Sequence, residues 1–500
     1  MSHEGSRSKE GLIEKPNSAD LQEEVIPYAE AVKKMVAYAG PTAGALLAKR
    51  IPDLYSYYVI GRMGDPRFTS GVGLGIMLSG MFCVSLGIGL FGGIDTLCSH
   101  AFGMGKNYLA GRYYTRAQVV QTALFVPQAI FLYYSDYFLM LIGQPEQSSI
   151  YAGEYLRIMI PGLWAYCQTE CLRRFLGTQG SFKLMMITQI ISTLSHFFWI
   201  YLFVSYLELS FHGIGYATCM TQFVNLMAPI LYICYDNSVV KPDCWHWING
   251  DSFIGLYEFL KFGIPSMIMI TFEVWAFEAL EFIAGYVGEL ELGVFVIFWN
   301  YILLIFNFPA SLQISSNSLI GNALGASKPK DAKVYMNVAV SAALICGITI
   351  SVMSCLLRSQ IIGLYTTDEA LKTLAVATMP WICLSFVGDN LQGATQGVIR
   401  AMGCQDFGTL ICLIGYWVIS IPLTFVFTFY LDFGIVGMCL GLPIGLMFVG
   451  LSFVAKMYTI NLEKLSEEVT DRIKDQSQNK HNIGGGESLE LQNRSLSGYI

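Results

Sequence analysis

The stretch Ser70–Asp95, SGVGLGIMLSGMFCVSLGIGLFGGID, carries no charged residue until its last position. A helix needs about 20 residues to cross a hydrocarbon core about 30 Å thick, and this run satisfies that length. Inside lipid every backbone amide must bond within its own segment, so such a run is a helix. Its glycines Gly71, Gly73, Gly75 and Gly80 would break a helix in water, but in a membrane they let neighbouring helices approach closely. Working outward with windows of about 19 residues places apolar spans at 32–60, 70–95, 115–135, 150–172, 184–206, 213–235, 257–287, 293–320, 335–357, 371–399, 408–430 and 433–457. The expected fold is all-α, a polytopic membrane protein with twelve transmembrane helices. The shortest separations are the links near Glu208 and Asp432, which end in Gly213 and Gly434.

Composition agrees with this reading. Of 500 residues 54% are hydrophobic and 13% charged, against roughly a quarter charged in soluble domains. A net charge of −7 with dispersed basic residues excludes a nucleic-acid footprint. The 13 cysteines sit mostly in apolar runs (Cys83, Cys167, Cys219, Cys346, Cys412) without a Cys-x-x-Cys pair, and read as small buried hydrophobes. His100, His196 and His212 are isolated, so no metal site is expected. No nucleophile elbow and no phosphate-binding loop occurs, which argues against an enzyme and against direct use of ATP. The first 24 residues are polar and hold no apolar core, so no cleaved signal is expected.

An internal repeat organises the chain. Ala101-Phe-Gly-Met-Gly-Lys106, followed by Ala110 and Tyr113, recurs as Ala323-Leu-Gly-Ala-Ser-Lys328, followed by Ala332 and Tyr335. A second echo pairs Arg174, Gly177 and Gln179 with Arg400, Gly403 and Gln405. Two six-helix lobes in parallel orientation follow, with a substrate site expected between them near the midplane. The expected division is a cytoplasmic tail 1–28, an N-lobe 29–240 (helices 1–6), a cytoplasmic linker 241–256, a C-lobe 257–458 (helices 7–12) and a disordered cytoplasmic tail 459–500. The loops on one side hold Lys106, Arg112, Arg116, Arg173, Arg174, Lys183, Lys241, Lys261, Lys328, Lys330, Lys333 and Arg400, against Arg62, Arg67, Arg358 and Lys372 on the other. That asymmetry places both termini in the cytoplasm. The triplet Asn493-Arg494-Ser495 would then escape glycosylation.

From about Tyr28 to Lys456 the chain resembles the multidrug and toxic compound extrusion (MATE) transporters, especially their eukaryotic branch. The segments that carry the resemblance in the first half are Gly40-Pro41, Gly61-Arg-Met-Gly64, Asp95-Thr-Leu-Cys-Ser-His-Ala-Phe-Gly103, Ile160-Pro-Gly162 and Cys171-Leu-Arg-Arg-Phe175. In the second half they are Gly263-Ile-Pro-Ser266, Glu273-Val-Trp-Ala-Phe-Glu278, Asn322-Ala-Leu-Gly325 and Asp389-Asn-Leu-Gln-Gly393. The resemblance implies ion-coupled export of amphiphilic organic solutes, cations first, by alternating access between the lobes. It implies H⁺ as the coupling ion ahead of Na⁺, no cofactor, a monomer in the lipid bilayer, and a plasma-membrane or vacuolar/endomembrane location. Export of organic anions, or lipid-linked flipping by a related architecture, are the alternatives.

Glu273 and Asp389 fall midway along the seventh and tenth spans. An ionised carboxylate there costs at least about 2.5–3.5 kcal/mol, so these residues are expected to mark an ion or substrate route, and the resemblance implies proton and cation binding at both. They also match acidic positions that carry this role in the eukaryotic branch. Glu278 joins them as a lesser candidate, since five residues turn it about 140° around the helix; Glu281 reads as a rim residue. Trp275, Phe277, Trp299 and Tyr301 are candidate aromatic linings that attract organic cations, and Asn300 is a candidate polar lining. In the first helix Ser56 stands where some prokaryotic relatives carry a coupling aspartate. That helix instead holds Lys49, Arg50 and Asp53, spaced for Lys49–Asp53 and Arg50–Asp53 pairs on one face, and Lys49 and Asp53 are candidate substrate-lining residues. Asp95 and Glu170 read as structural groups at helix ends.

Overall fold

The computed structural model describes residues 25–476. The expected tail up to residue 24, the chain beyond 476 and the Asn493 triplet lie outside the described residues. Among the described residues there is no strand, and twelve long rods follow one another. The N-lobe comprises α1 (Tyr28–Gly61), α2 (Pro66–Gly103), α3 (Asn107–Tyr133, turning 59° into Ser135–Leu141), α4 (Glu146–Thr178), α5 (Phe182–Tyr206) and α6 (Ser210–Tyr235). The C-lobe comprises α7 (Leu256–Val287), α8 (Glu289–Gly325), α9 (Pro329–Leu356), α10 (Glu369–Ala401), α11 (Gln405–Tyr430) and α12 (Gly434–Thr459). Length and apolarity alone qualify eight of these rods as membrane spans, or up to nine with the bent α3 pair counted as one. The remaining three, α1, α4 and α7, each carry two or more ionisable residues well inside them (Lys49, Arg50 and Asp53; Arg157, Glu170, Arg173 and Arg174; Glu273 and Glu278).

The repeat is visible in the backbone. The α2–α3 turn closes by Lys106 N–H donating to Ala101 O (2.9 Å) with Gly105 at φ 74°, and the α8–α9 turn by Lys328 N–H donating to Ala323 O (2.9 Å) with Ser327 at φ 58°. Both are helix ends in which a left-handed residue lets the chain bond the last carbonyls. The α4–α5 and α10–α11 turns close likewise, Ser181 to Leu176 and Cys404 to Ile399 (both 3.0 Å), around Gly180 and Gly403. This pairing corrects the second echo: Arg400 falls opposite Gly177, not Arg174. A third pair was unforeseen. Leu207 donates to Leu202 and Leu431 to Val426 (both 2.9 Å), with positive φ at Glu208 and Ser210 and again at Asp432 and Gly434. The first link therefore ends at Ser210, and Gly213 lies inside α6.

Several basic residues assigned to loops are helical. Arg116, Arg173, Arg174 and Arg400 are buried inside α3, α4, α4 and α10. A hydropathy window ends a span at a charge, whereas the helix continues wherever another helix supplies the counter-charge. The expected disorder of the tail is also overturned over 462–476, which forms a further helix, labelled α13. Leu462, Leu465, Val469 and Ile473 lie three or four residues apart along it, a spacing that forms one helical face. Val469 and Ile473 are buried against a cluster that joins Phe102 of α2 in the N-lobe to Phe262 of α7 in the C-lobe. Ser466 Oγ donates to Leu324 O (2.9 Å), and Arg472 Nη2 donates to His100 Nδ1 (2.7 Å). His100 Nε2 must then be the protonated nitrogen, and it donates to Ala401 O (2.7 Å).

These contacts belong to one end of the molecule, where the lobes are sealed together. Thr96 Oγ1 donates to Arg400 O (2.7 Å), Ser318 Oγ to Gly177 O (2.9 Å) and Asn322 Nδ2 to Thr178 O (2.8 Å). Farther along the seam, Trp275 Nε1 reaches Met81 O (3.4 Å), and among the described residues no cross-lobe hydrogen bond lies beyond it. The outer part of α2, Pro66–Ser79, packs on α1 and α4 of its own lobe. The start of α1 crosses over, with Ala31 and Met35 buried in the C-lobe core. At the sealed end the helices approach so closely that a Cβ on Gly103 would meet Asn322 O, and one on Gly325 would meet His100 O. Gly325→Val should therefore force the lobes apart, and overpacking of this kind costs about 1–3 kcal/mol. Gly363→Val, where a Cβ meets nothing within 4 Å, is the control. Thermal unfolding in detergent should show a lower midpoint for Gly325→Val alone; equal midpoints would contradict the tight seam.

Candidate functional site

On α10, Asp389, Gln392, Gln396 and Arg400 recur at steps of three and four, so they form one stripe along the helix. That stripe faces α7. Glu273, 7% exposed, accepts at Oε2 from Gln392 Nε2 (3.1 Å) and Gln396 Nε2 (2.9 Å). Asp389, 3% exposed, lies near enough to Glu273 for their charges to interact. Its Oδ2, Gln392 Oε1 and the Tyr416 hydroxyl on α11 are buried without a protein partner. Native interiors rarely leave such groups unpaired. Two carboxyls with spare acceptors in a dry pocket suit a proton or a cationic group.

The sequence-predicted linings divide. Phe277 stacks on Trp299 (4.7 Å between ring centres, 26°) and lies 6.4 Å from the Tyr416 ring, so these two line the carboxyl region. Trp275 spans to the other lobe, touching Met81 O and the Phe82 ring. Asn300 is exposed and bonds its own helix at Val296 O (2.9 Å). Tyr301 turns to α9, where its hydroxyl meets Ser354 Oγ (2.6 Å). Glu278 is half-buried and has Glu281 as its charged neighbour.

Sequence reasoning missed the groups that connect the acids to the seam. Gln396 Oε1 accepts from Arg400 Nη2 (3.1 Å) and from Gln313 Nε2 of α8. Arg400, fully buried, also reaches Asp95 Oδ2 (3.4 Å), and the same oxygen binds Arg174 Nη1 (2.7 Å). Asp95 is thus shared between the lobes, where a simple helix-end role was expected. The stripe spacing on α10 was readable, but an amide in an apolar run is inconspicuous until its partner is known.

In the N-lobe, Lys49 bonds Glu170 Oε1 (2.8 Å) and the Tyr166 hydroxyl (2.9 Å), reaching α4 in place of the expected Asp53. Glu170 also pairs with Arg173 (3.4 Å), which donates to Gln189 (3.1 Å). Asp53 is exposed. Ser56 Oγ meets His196 Nε2 (3.0 Å), whose Nδ1 meets Thr221 Oγ1 (2.8 Å). Glu170→Gln leaves two cations without their counter-charge, and breaking a buried pair costs about 3–5 kcal/mol. Lys49→Met leaves Glu170 its Arg173 partner, so it should destabilise less. Unfolding of the two variants in detergent checks this order, and the reverse order would refute it.

Comparison with known proteins agrees with this architecture. The MatE family pattern matches twice, at residues 41–202 and 265–426, and the two matches begin 224 positions apart, close to the spacing of the paired turns. Protein DETOXIFICATION 16 of Arabidopsis thaliana is 28% identical over 458 residues, 90% of this chain and 92% of that one. Multidrug and toxin extrusion protein 1 of Homo sapiens is 25% identical over 441 residues, 88% of this chain and 77% of that one. The crystal structure of the eukaryotic MATE transporter AtDTX14 matches the fold with a TM-score of 0.84 at 23% identity, over 89% of this chain and 99% of that one. With two family matches spanning both lobes, this chain belongs to the MatE family and is a membrane transporter, not an enzyme.

Proposed function

We propose that this transporter exports amphiphilic organic cations in exchange for protons, by alternating access between its two lobes. The observation that carries the reading is the Glu273–Asp389 pair, buried midway along two helices, held by amides and fringed by Phe277, Trp299 and Tyr416. An unneutralised carboxylate pair is unfavourable in low dielectric, and a proton or an organic cation relieves it equally well in charge. Both ligands therefore compete for one site, and each biases the two conformations only through its differential affinity for them. The names of the multidrug and toxin extrusion relatives support an organic solute as substrate. The sealed end carries Lys106, Arg112, Lys328, Lys330 and Lys333, a basic bias that by the positive-inside rule supports a cytoplasmic side for this end and for both termini. The open end would then face outward.

Glu273→Gln should abolish uphill efflux of a fluorescent cation from proteoliposomes under an imposed pH gradient, while the protein stays monodisperse. Asp389→Asn should act in the same direction but less completely, because one carboxyl remains. Parent-rate efflux by Glu273→Gln under the same gradient would refute the exchange site.

The N-lobe favours a second reading, in which organic anions are carried. Lys49 and Arg173 share the single charge of Glu170, leaving a net positive cluster. Replacing Lys49 and Arg50 together by Gln should shift the ratio of cation to carboxylate transport toward cations. Unchanged relative rates would leave the cluster a structural role only.

A further inference from the structure

We propose that Gln396 reports the state of Glu273 to Arg400, so that a proton, but not a bound cation, releases the sealed end of the lobes. This rests on the exchange site proposed above and assigns positioning roles to Gln396 and Arg400.

The argument follows from donors and acceptors. A guanidinium only donates and a carboxylate only accepts, whereas an amide does both at opposite corners. Gln396 sits between the two kinds. Its Nε2 donates to Glu273 Oε2 (2.9 Å), and its Oε1 accepts from Arg400 Nη2 (3.1 Å). With Glu273 ionised, this is the one amide orientation that satisfies both neighbours. Arg400, its position set by Gln396, shares Asp95 Oδ2 with Arg174 across the seam. Its backbone carbonyl accepts from Thr96 Oγ1 (2.7 Å), and Gln405 Nε2 donates to the same Thr96 oxygen (2.6 Å). The end of α10 is therefore stitched to α2 at the position to which the Gln396 amide points.

A cation bound beside Glu273 leaves the carboxylate an acceptor, and the amide keeps its orientation. A proton taken from solution does not. On Oε2 the new O–H needs an acceptor, and the two amides that share this oxygen, Gln392 and Gln396, compete to turn a carbonyl toward it; where Gln396 turns, it presents N–H to Arg400. On Oε1 it leaves Oε2 a neutral carbonyl, and both amide bonds lose their charge-assisted strength. Gln313 can turn in concert with Gln396, because it too is an amide. Arg400 has no such freedom: its bond to Gln396 Oε1 is weakened or lost, and Asp95 Oδ2 is left as its side-chain acceptor. The other ionisable groups around this site are Asp389 on the same helix, Cys412 and Tyr416 on α11, and Asp95 and Arg174 in the N-lobe. Asp95 and Arg174 form the seam itself, and the carboxyl of Asp389 takes no hydrogen bond from Gln396. The consequence is a rule for exchange: substrate-loaded carrier keeps the sealed end closed, and proton-loaded carrier opens it.

Lys106 and Lys328 are exposed in the α2–α3 and α8–α9 turns on either side of the seam, and give labelling positions. Lys106→Cys and Lys328→Cys, in a full-length chain whose exposed Cys234 is replaced by Ser, would carry spin labels for distance measurement in lipid nanodiscs. The parent should show a longer-distance population that grows on acidification, and an added organic cation such as tetraphenylphosphonium at acidic pH should suppress it. Gln396→Met should lose at least half of this pH-dependent shift while Glu273 is intact. Gln396→Asn, too short to span both partners, serves if the first variant does not fold. Arg400→Lys keeps the charge without the fork, and should restore part of the shift. A full parent-like shift in both Gln396 variants overturns the proposal. A shift that also persists in Glu273→Gln sinks the exchange site itself, so the two failures are distinguishable.

Discussion

Asp95 carries one negative charge into a dry seam and divides it between a guanidinium from each lobe, Arg174 at 2.7 Å and Arg400 at 3.4 Å. Two cations and one anion out of water are tolerated only when every remaining donor finds an acceptor. The surroundings meet this only in part: Gln396 Oε1 accepts from Arg400, Asn317 Nδ2 donates to the Asp95 carbonyl (3.1 Å), and the Nε of each guanidinium stays buried without a partner. None of these residues can move alone. Separating the lobes at this end means re-solvating the whole set, which makes the contact two-state rather than gradual. Glycines at Gly103 and Gly325 let the backbones come close enough for the set to form.

The same constraint accounts for how α1, α4 and α7 hold charge in an apolar bundle. Lys49 and Arg173 share the one negative charge of Glu170 across α1 and α4. Glu273 instead has two amides and no direct counter-cation. That difference is what the proposed exchange at Glu273 rests on: its carboxylate is held by amides alone, whereas Glu170 is held by cations. The α13 helix adds a further clasp at the sealed end, because its Arg472 bonds His100 in the N-lobe while its Ser466 bonds Leu324 in the C-lobe.

Much of this was legible in the residue order. Runs such as Ser70–Asp95 specify helices, since span length and hydropathy are local properties. The match of Ala101–Lys106 with Ala323–Lys328 revealed the twin lobes, and Glu273 and Asp389 stood out because an acid inside an apolar run needs a reason to be there. Partner choice was not legible. Lys49 is spaced to meet Asp53 on its own helix, yet it meets Glu170, 121 residues away, because α4 brings a buried acid to the same depth. Arg400 was taken for a loop charge, since nothing nearby in sequence pays for its burial; its counter-ion lies 305 residues away. The α13 helix escaped notice because its apolar face is four residues in a polar tail, and gains stability only from the seam it covers.

The sequence by itself determined the helices, their number, the duplication and the two mid-membrane acids, each a consequence of short-range periodicity in a low-dielectric solvent. The tertiary structure decided which charges meet, which amides bridge them and at which end the lobes close. Those outcomes depend on side chains from different helices arriving at the same depth, and no local pattern records that distance.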